Sequence, residues 1–94
     1  MSRYLVLWEV NPGQMPANPK ERATLMSQAG EMVDQNISKG IITSWGAFLT
    51  GRKGYSVWEC DPSELYKQAQ QFYPQFTIQI HQVLSREELL EVTQ

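Results

Sequence analysis

The chain has 94 residues, 41% of them hydrophobic and 19% charged, with a net charge of −2. That is enough for one domain, residues 1–94, burying roughly 60–65% of the surface its unfolded chain exposes. The weakly acidic balance excludes the basic footprint of a nucleic-acid or anionic-lipid binder, and the single cysteine, Cys60, excludes an internal disulfide and a cysteine-based metal site.

The first predicted strand is Arg3 to Val10. Tyr4, Val6, Trp8 and Val10 point one way; Leu5, Leu7 and Glu9 point the other. Neither set is clearly polar, so both faces are expected to be covered. Asn11 to Ala17 holds Pro12, Gly13 and Pro16 and reads as a loop. Asn18-Pro19-Lys20-Glu21 has the form of a capping box and starts a helix. Leu25, Ala29, Val33 and Ile37, with Met26 and Met32 beside them, make one apolar stripe, and Gly40 ends the helix in the left-handed conformation. The sequon Asn36-Ile37-Ser38 falls inside this helix and reads as chance.

A second strand runs from about Ile41 to Thr50. Gly51-Arg52-Lys53-Gly54 is the turn, and Tyr55 to Cys60 is the third strand. Asp61-Pro62-Ser63-Glu64 is a second capping box. Its helix carries Leu65, Ala69 and Phe72 and stops at Pro74. Phe76 to Leu84 is the fourth strand, in which Phe76, Ile78 and Ile80 alternate with Thr77, Gln79 and His81. Ser85-Arg86-Glu87-Glu88 caps a short final helix with Leu89, Leu90 and Val92. No apolar run approaches the ~18 residues of a membrane span, and Met1-Ser2-Arg3 leads into a strand rather than a signal peptide, so a cytoplasmic location is expected.

One phrase occurs twice. Trp8-Glu9-Val10-Asn11-Pro12 is answered by Trp58-Glu59-Cys60-Asp61-Pro62, each ending a strand and preceding a helix start. The order β-α-β-β-α-β with a tail helix, built from two similar halves, predicts an α+β, ferredoxin-like sandwich. Its four-stranded antiparallel sheet carries both helices on one face. If the halves are equivalent, Trp8 and Trp58 share a side with Tyr4, Val6, Ser56 and Cys60. Leu5, Leu7 and Val57 take the other, with Ile80 if the apolar phase of its strand follows them. The aliphatic side is assigned to the helices. The open side is then expected to carry Tyr4, Trp8, Trp58, Thr77, Gln79 and His81, too apolar a patch for water, and a second copy of the chain is the simplest cover.

These features resemble the dimeric α+β barrel superfamily, in which two such sheets pack face to face around a pocket. The nearest likeness is to muconolactone isomerase and its small uncharacterised relatives. Tyr55-Ser56-Val57-Trp58-Glu59 is similar to that family's third-strand phrase. Asn18-Pro19 stands where its first helix begins, and Tyr73-Pro74-Gln75-Phe76 resembles its entry to the fourth strand. The resemblance spans nearly the whole chain. It implies a homodimer joined through open sheet faces, a pocket for a small organic molecule and, if an enzyme, a cofactor-free isomerase.

The candidate chemistry follows from residue types. His81 is the only histidine, and its unperturbed pKa suits proton transfer near neutrality, which makes it the catalytic candidate. The bland reading is a hydrogen-bonded interface histidine. Tyr4, Trp8 and Trp58 are candidate walls for an apolar or aromatic ligand, with Ser56 and Gln79 as hydrogen-bonding groups. Trp45 and Tyr55 can join them, and packing explains all of them equally well. Glu9 and Glu59 match by repeat position and can divide acid and base work, or simply sit solvated at strand ends. Cys60 has no cationic neighbour in sequence and reads as an inert thiol. No metal or nucleotide motif appears, and no cofactor is expected. Two other readings compete. One is a non-catalytic structural or effector-binding dimerisation domain. The other is an RNA-recognition motif, which has the same strand order. For that motif Lys53-Gly54-Tyr55 begins well, but Val57 and Cys60 stand where stacking aromatics are needed.

Overall fold

The computed structural model describes residues 2–93; Met1 and Gln94 lie outside the described residues. Four strands form one antiparallel sheet: β1 (Arg3–Val10), β2 (Ile42–Ala47), β3 (Lys53–Glu59) and β4 (Phe76–Val83), in the spatial order β2-β3-β1-β4. The two β-rich repeats thus supply the central pair. Three α-helices follow the strands: α1 (Pro19–Ser38) after β1, α2 (Pro62–Gln70) after β3, and α3 (Arg86–Thr93) after β4. No helix among the described residues is long and apolar enough to cross a membrane.

Local chemistry sets most boundaries. Asn18 caps α1 with its side chain, accepting from the backbone N–H of Lys20 at 2.8 Å and of Glu21 at 3.4 Å. Gly40 takes a φ of +75°, as its place after Lys39 requires. Asp61 differs from expectation. Its side chain makes no cap bond; instead its backbone carbonyl accepts from Glu64 and Leu65. Ser85 and Glu88 form a complete reciprocal box: the Ser85 N–H donates to Glu88 Oε1 at 2.9 Å, and the Glu88 N–H to Ser85 Oγ at 3.0 Å. The first copy of the repeated phrase does not lead straight into an α-helix. A 3₁₀ turn at Pro12–Gln14 intervenes before α1.

On β1 and β3 the sheet faces are the reverse of the sequence reading. Cross-strand partners share a face, and the register pairs Tyr4 with Trp58, Val6 with Ser56 and Ile80, and Trp8 with Ile78. Tyr4, Val6, Trp58 and Cys60 are buried in one cluster with Ile42 of β2 and Leu65 of α2. That is the helix side. Leu5, Leu7 and Val57 lie on the open side, half-buried, with His81 across from Leu5 and Gln79 across from Leu7. The physical reason is area. A Tyr and two Trp side chains bury some 150–250 Å² each, more than the aliphatic set they displace. Thr77, Gln79 and His81 are on the open face, as expected. Tyr4, Trp8, Ser56 and Trp58 are not.

Two glycines fit aromatic rings onto the sheet. A Cβ at Gly54 would lie 2.6 Å from the Trp8 ring on the helix side, and Tyr55 covers Gly46 on the open side. A substitution at Gly46 would displace the Tyr55 ring, and one at Gly54 would collide with the Gly46 backbone carbonyl of β2 as well as with the Trp8 ring.

Candidate functional site: an apolar cavity between helices and sheet

Helix α1 is long and only loosely seated. Its one buried residue is Asn36, whose side-chain N–H donates to the Met32 carbonyl at 2.8 Å while its Oδ1 has no partner among the described residues. Met26 and Ile37, members of the predicted stripe, remain well exposed. The gap between α1 and the sheet is a cavity of about 360 Å³. That lies in the size range of small-molecule sites.

The sheet contributes the floor: Val6 and Trp8 from β1, Trp45 from β2, Ser56 and Trp58 from β3, Ile78 from β4. From α1 come Ala29, Gly30 and Val33, with Met26, Asp34 and Ile37. Helix α2 and the turn after it add Leu65, Ala69 and Phe72, and Phe76 closes that end. Trp8 and Trp45 stack, with ring centroids 5.5 Å apart and planes 15° apart. Phe76 meets the edges of both Trp8, at 6.5 Å, and Phe72, at 5.8 Å. The walls are therefore flat and aromatic at one end and aliphatic along α1.

Polar groups are few. Trp58 Nε1 donates to Ser56 Oγ at 2.8 Å, so the pair satisfies the indole and leaves the serine hydroxyl proton available. Trp8 Nε1 is buried with no acceptor among the described residues. An orphan donor of this kind costs about 1–3 kcal/mol. Asp34 is exposed and is the only ionisable side chain on the lining; no Lys, Arg or His lines it. Such walls suit an uncharged guest. A carboxylate there would lose its hydration without gaining a counter-ion.

Of the predicted site residues, Trp8, Ser56 and Trp58 come together in this cavity. Tyr4 is packed in the core cluster beside it. Gln79 and His81 are exposed on the other face of the sheet, so the constellation read from sequence is split in two by the sheet itself. Glu9 and Glu59 are also apart. They occupy opposite ends of the open face, Glu9 across from Lys53 and Glu59 in an ion pair with Arg3 at 3.4 Å. Cys60 is buried, and burial, reinforced by the Glu64 and Asp61 carboxylates, raises its thiol pKa. It stays protonated near neutral pH and is a poor nucleophile.

Sequence reasoning missed the part played by Gly30 and Asp34, and by Phe72 and Phe76 as a ligand wall. One signal was present. A glycine in mid-helix costs up to ~1 kcal/mol relative to alanine, and Gly30 stands on the apolar side of α1 where a Cβ would meet nothing within 4 Å. No protein-family model and no curated protein matches the chain.

Proposed function

We propose that this protein binds a small, uncharged, largely aromatic molecule between α1, α2 and the sheet, without chemical turnover in that cavity. The observation that carries the reading is the lining: some 360 Å³ bounded by stacked Trp8 and Trp45 and by Phe72 and Phe76, with Ser56 as the one buried hydroxyl. The strand order and the two helices support membership of the ferredoxin-like, dimeric α+β barrel class. In that arrangement a second copy covers Leu5, Leu7, Tyr55 and Val57 on the open face. A cofactor-free isomerase of the muconolactone isomerase kind is the second reading. It would sit on that open face, where His81 and Gln79 stand opposite Leu5 and Leu7 and a partner sheet would enclose them.

The test is a titration followed by tryptophan fluorescence, with 2-naphthol and 2-naphthoate as probes. We expect 2-naphthol to quench, and the anionic naphthoate to bind at least about tenfold more weakly, since its charge would go unpaired. Gly30→Leu places a side chain in the cavity at a helical position that favours it. It should keep the fold and abolish quenching. Equal binding by wild type and Gly30→Leu contradicts the proposal. Turnover of an unsaturated lactone that is lost in His81→Ala would favour the isomerase instead.

A further inference from the structure

The two ends of the sheet carry opposite chemistry. At one end the β2–β3 hairpin projects Phe48 and Leu49, the latter fully exposed, beside exposed Arg52 and Lys53. The tip is held firmly. The Phe48 N–H donates to the Lys53 carbonyl and the Gly51 N–H to the Phe48 carbonyl, both at 2.8 Å, and Phe48 stacks on Tyr55. Among the described residues neither cation is in an ion pair; Glu9 is the residue across from Lys53.

At the other end stands α3. Every one of its described residues is exposed, including Leu89, Leu90 and Val92, and Leu84 leading into it is exposed as well. Glu87, Glu88 and Glu91 outnumber Arg86, and Glu88 is engaged in the helix cap. An isolated helix of eight residues is well below the ~12–15 that hold together alone in water. The complete Ser85–Glu88 box shows that this segment is nonetheless built to be helical. It needs a surface.

The chain cannot supply that surface from its own hairpin. β1 pairs with Val83 at Arg3 and with Lys53 at Glu9, so arm and hairpin leave opposite ends of the sheet. Those six residue steps span roughly 20 Å. The molecule measures 55 × 26 × 22 Å, about twice the ~27 Å length of an eight-residue strand.

We infer that α3 of one copy docks on the β2–β3 hairpin of a second copy, and that the contact is reciprocal. Two copies placed antiparallel about a two-fold axis bring each acidic, leucine-bearing arm to the other's basic, Phe48–Leu49 tip. Two identical contacts form and the assembly closes as a dimer. Leu89 and Leu90 meet Phe48 and Leu49, while Glu87 and Glu91, four residues apart, meet Arg52 and Lys53. The inference rests on the dimer proposed above and adds to it the element that fixes the copies' relative direction.

Sedimentation equilibrium of the full chain tests it. Four proteins are compared: wild type, an arm reversal (Glu87→Lys with Glu91→Lys), a hairpin reversal (Arg52→Glu with Lys53→Glu), and all four substitutions together. These residues are exposed, so circular dichroism should report an unchanged fold. We expect each reversal alone to raise the dimer dissociation constant about tenfold or more, and the fourfold variant to return close to wild type. Reversals that dimerise as wild type does would overturn the arm–hairpin contact and leave the sheet-face dimer standing. A wild-type chain that stays monomeric throughout the micromolar range would overturn both. Weakening by either reversal without recovery in the fourfold variant would also reject the pairing.

Discussion

Trp8 and Trp58 open the same phrase, yet the fold uses them differently. Trp58 is 4% exposed, packed among Tyr4, Ile42 and Leu65, with its N–H satisfied by Ser56. Trp8 is half-buried and stacked on an exposed Trp45, and its N–H has no acceptor among the described residues. The helices explain the difference. Nine-residue α2 starts directly at Pro62 and seats Leu65 in the core cluster beside Trp58. Twenty-residue α1 begins seven residues after the first phrase's proline, beyond a 3₁₀ turn, and stands off the sheet over Trp8. The second tryptophan is thus spent mainly on packing, and the first on a cavity that residues of both halves line.

The contrast is sharpest for truncation to alanine. Trp58→Ala should destabilise by about 3–5 kcal/mol, the usual cost of removing a large buried aromatic. Trp8→Ala should cost no more than about 2 kcal/mol, because its ring already borders open space. Urea midpoints at matched slopes measure both; equal losses would erase the distinction. The helix starts come next. Asn18→Ala should cost about 1 kcal/mol, since a real side-chain cap is removed. Asp61→Ala should cost less than about 0.5 kcal/mol, because its carbonyl does the capping and survives the change.

Much of this was legible in the sequence. All four strands, the Asn18 and Ser85 boxes and the left-handed Gly40 follow from residue chemistry acting over a few positions. The facing of the sheet was not. Period-two patterning shows that two sets alternate, but β1 is apolar on both sides. Only the helices' choice between an aromatic and an aliphatic surface decides which set is the core. The candidate site inherited that ambiguity. Trp8, Ser56 and Trp58 fall on one face because one parity links them, whereas His81 and Gln79 belong to the opposite parity of β4 once the register is known. Gly30 and Asp34 reach the cavity through the stand-off of α1, which is a tertiary property with only Gly30 as a local sign.

Smaller effects probe the unsatisfied groups. Trp8→Phe removes an orphan donor and should leave stability unchanged or raise it by up to about 1 kcal/mol, while weakening any ligand stacked on the indole. Asn36→Leu should likewise be neutral or stabilising by thermal melting, since Oδ1 is buried without a partner. The smallest effect concerns Glu88. Its hydrogen bonds with Ser85, backbone first, hold its carboxyl below the ordinary range. A lowered folded-state pKa means that the contribution is present above the unfolded value and is lost as pH falls through the folded one. Protection factors of the α3 amides, corrected for the slower intrinsic exchange at low pH, should therefore fall on acidification more than those of α1 and α2, and Glu88→Gln should flatten that dependence.

The most direct measurement of the cavity claim is a solution NMR study of 2-naphthol bound to the methyl-labelled protein. The sheet separates the two candidate sites, so the methyl groups that receive Overhauser transfer from the ligand identify the face. We expect transfer to Ala29, Val33 and Ile78. Transfer confined to Leu5, Leu7 and Val57 would place binding on the open face and contradict the assignment made here.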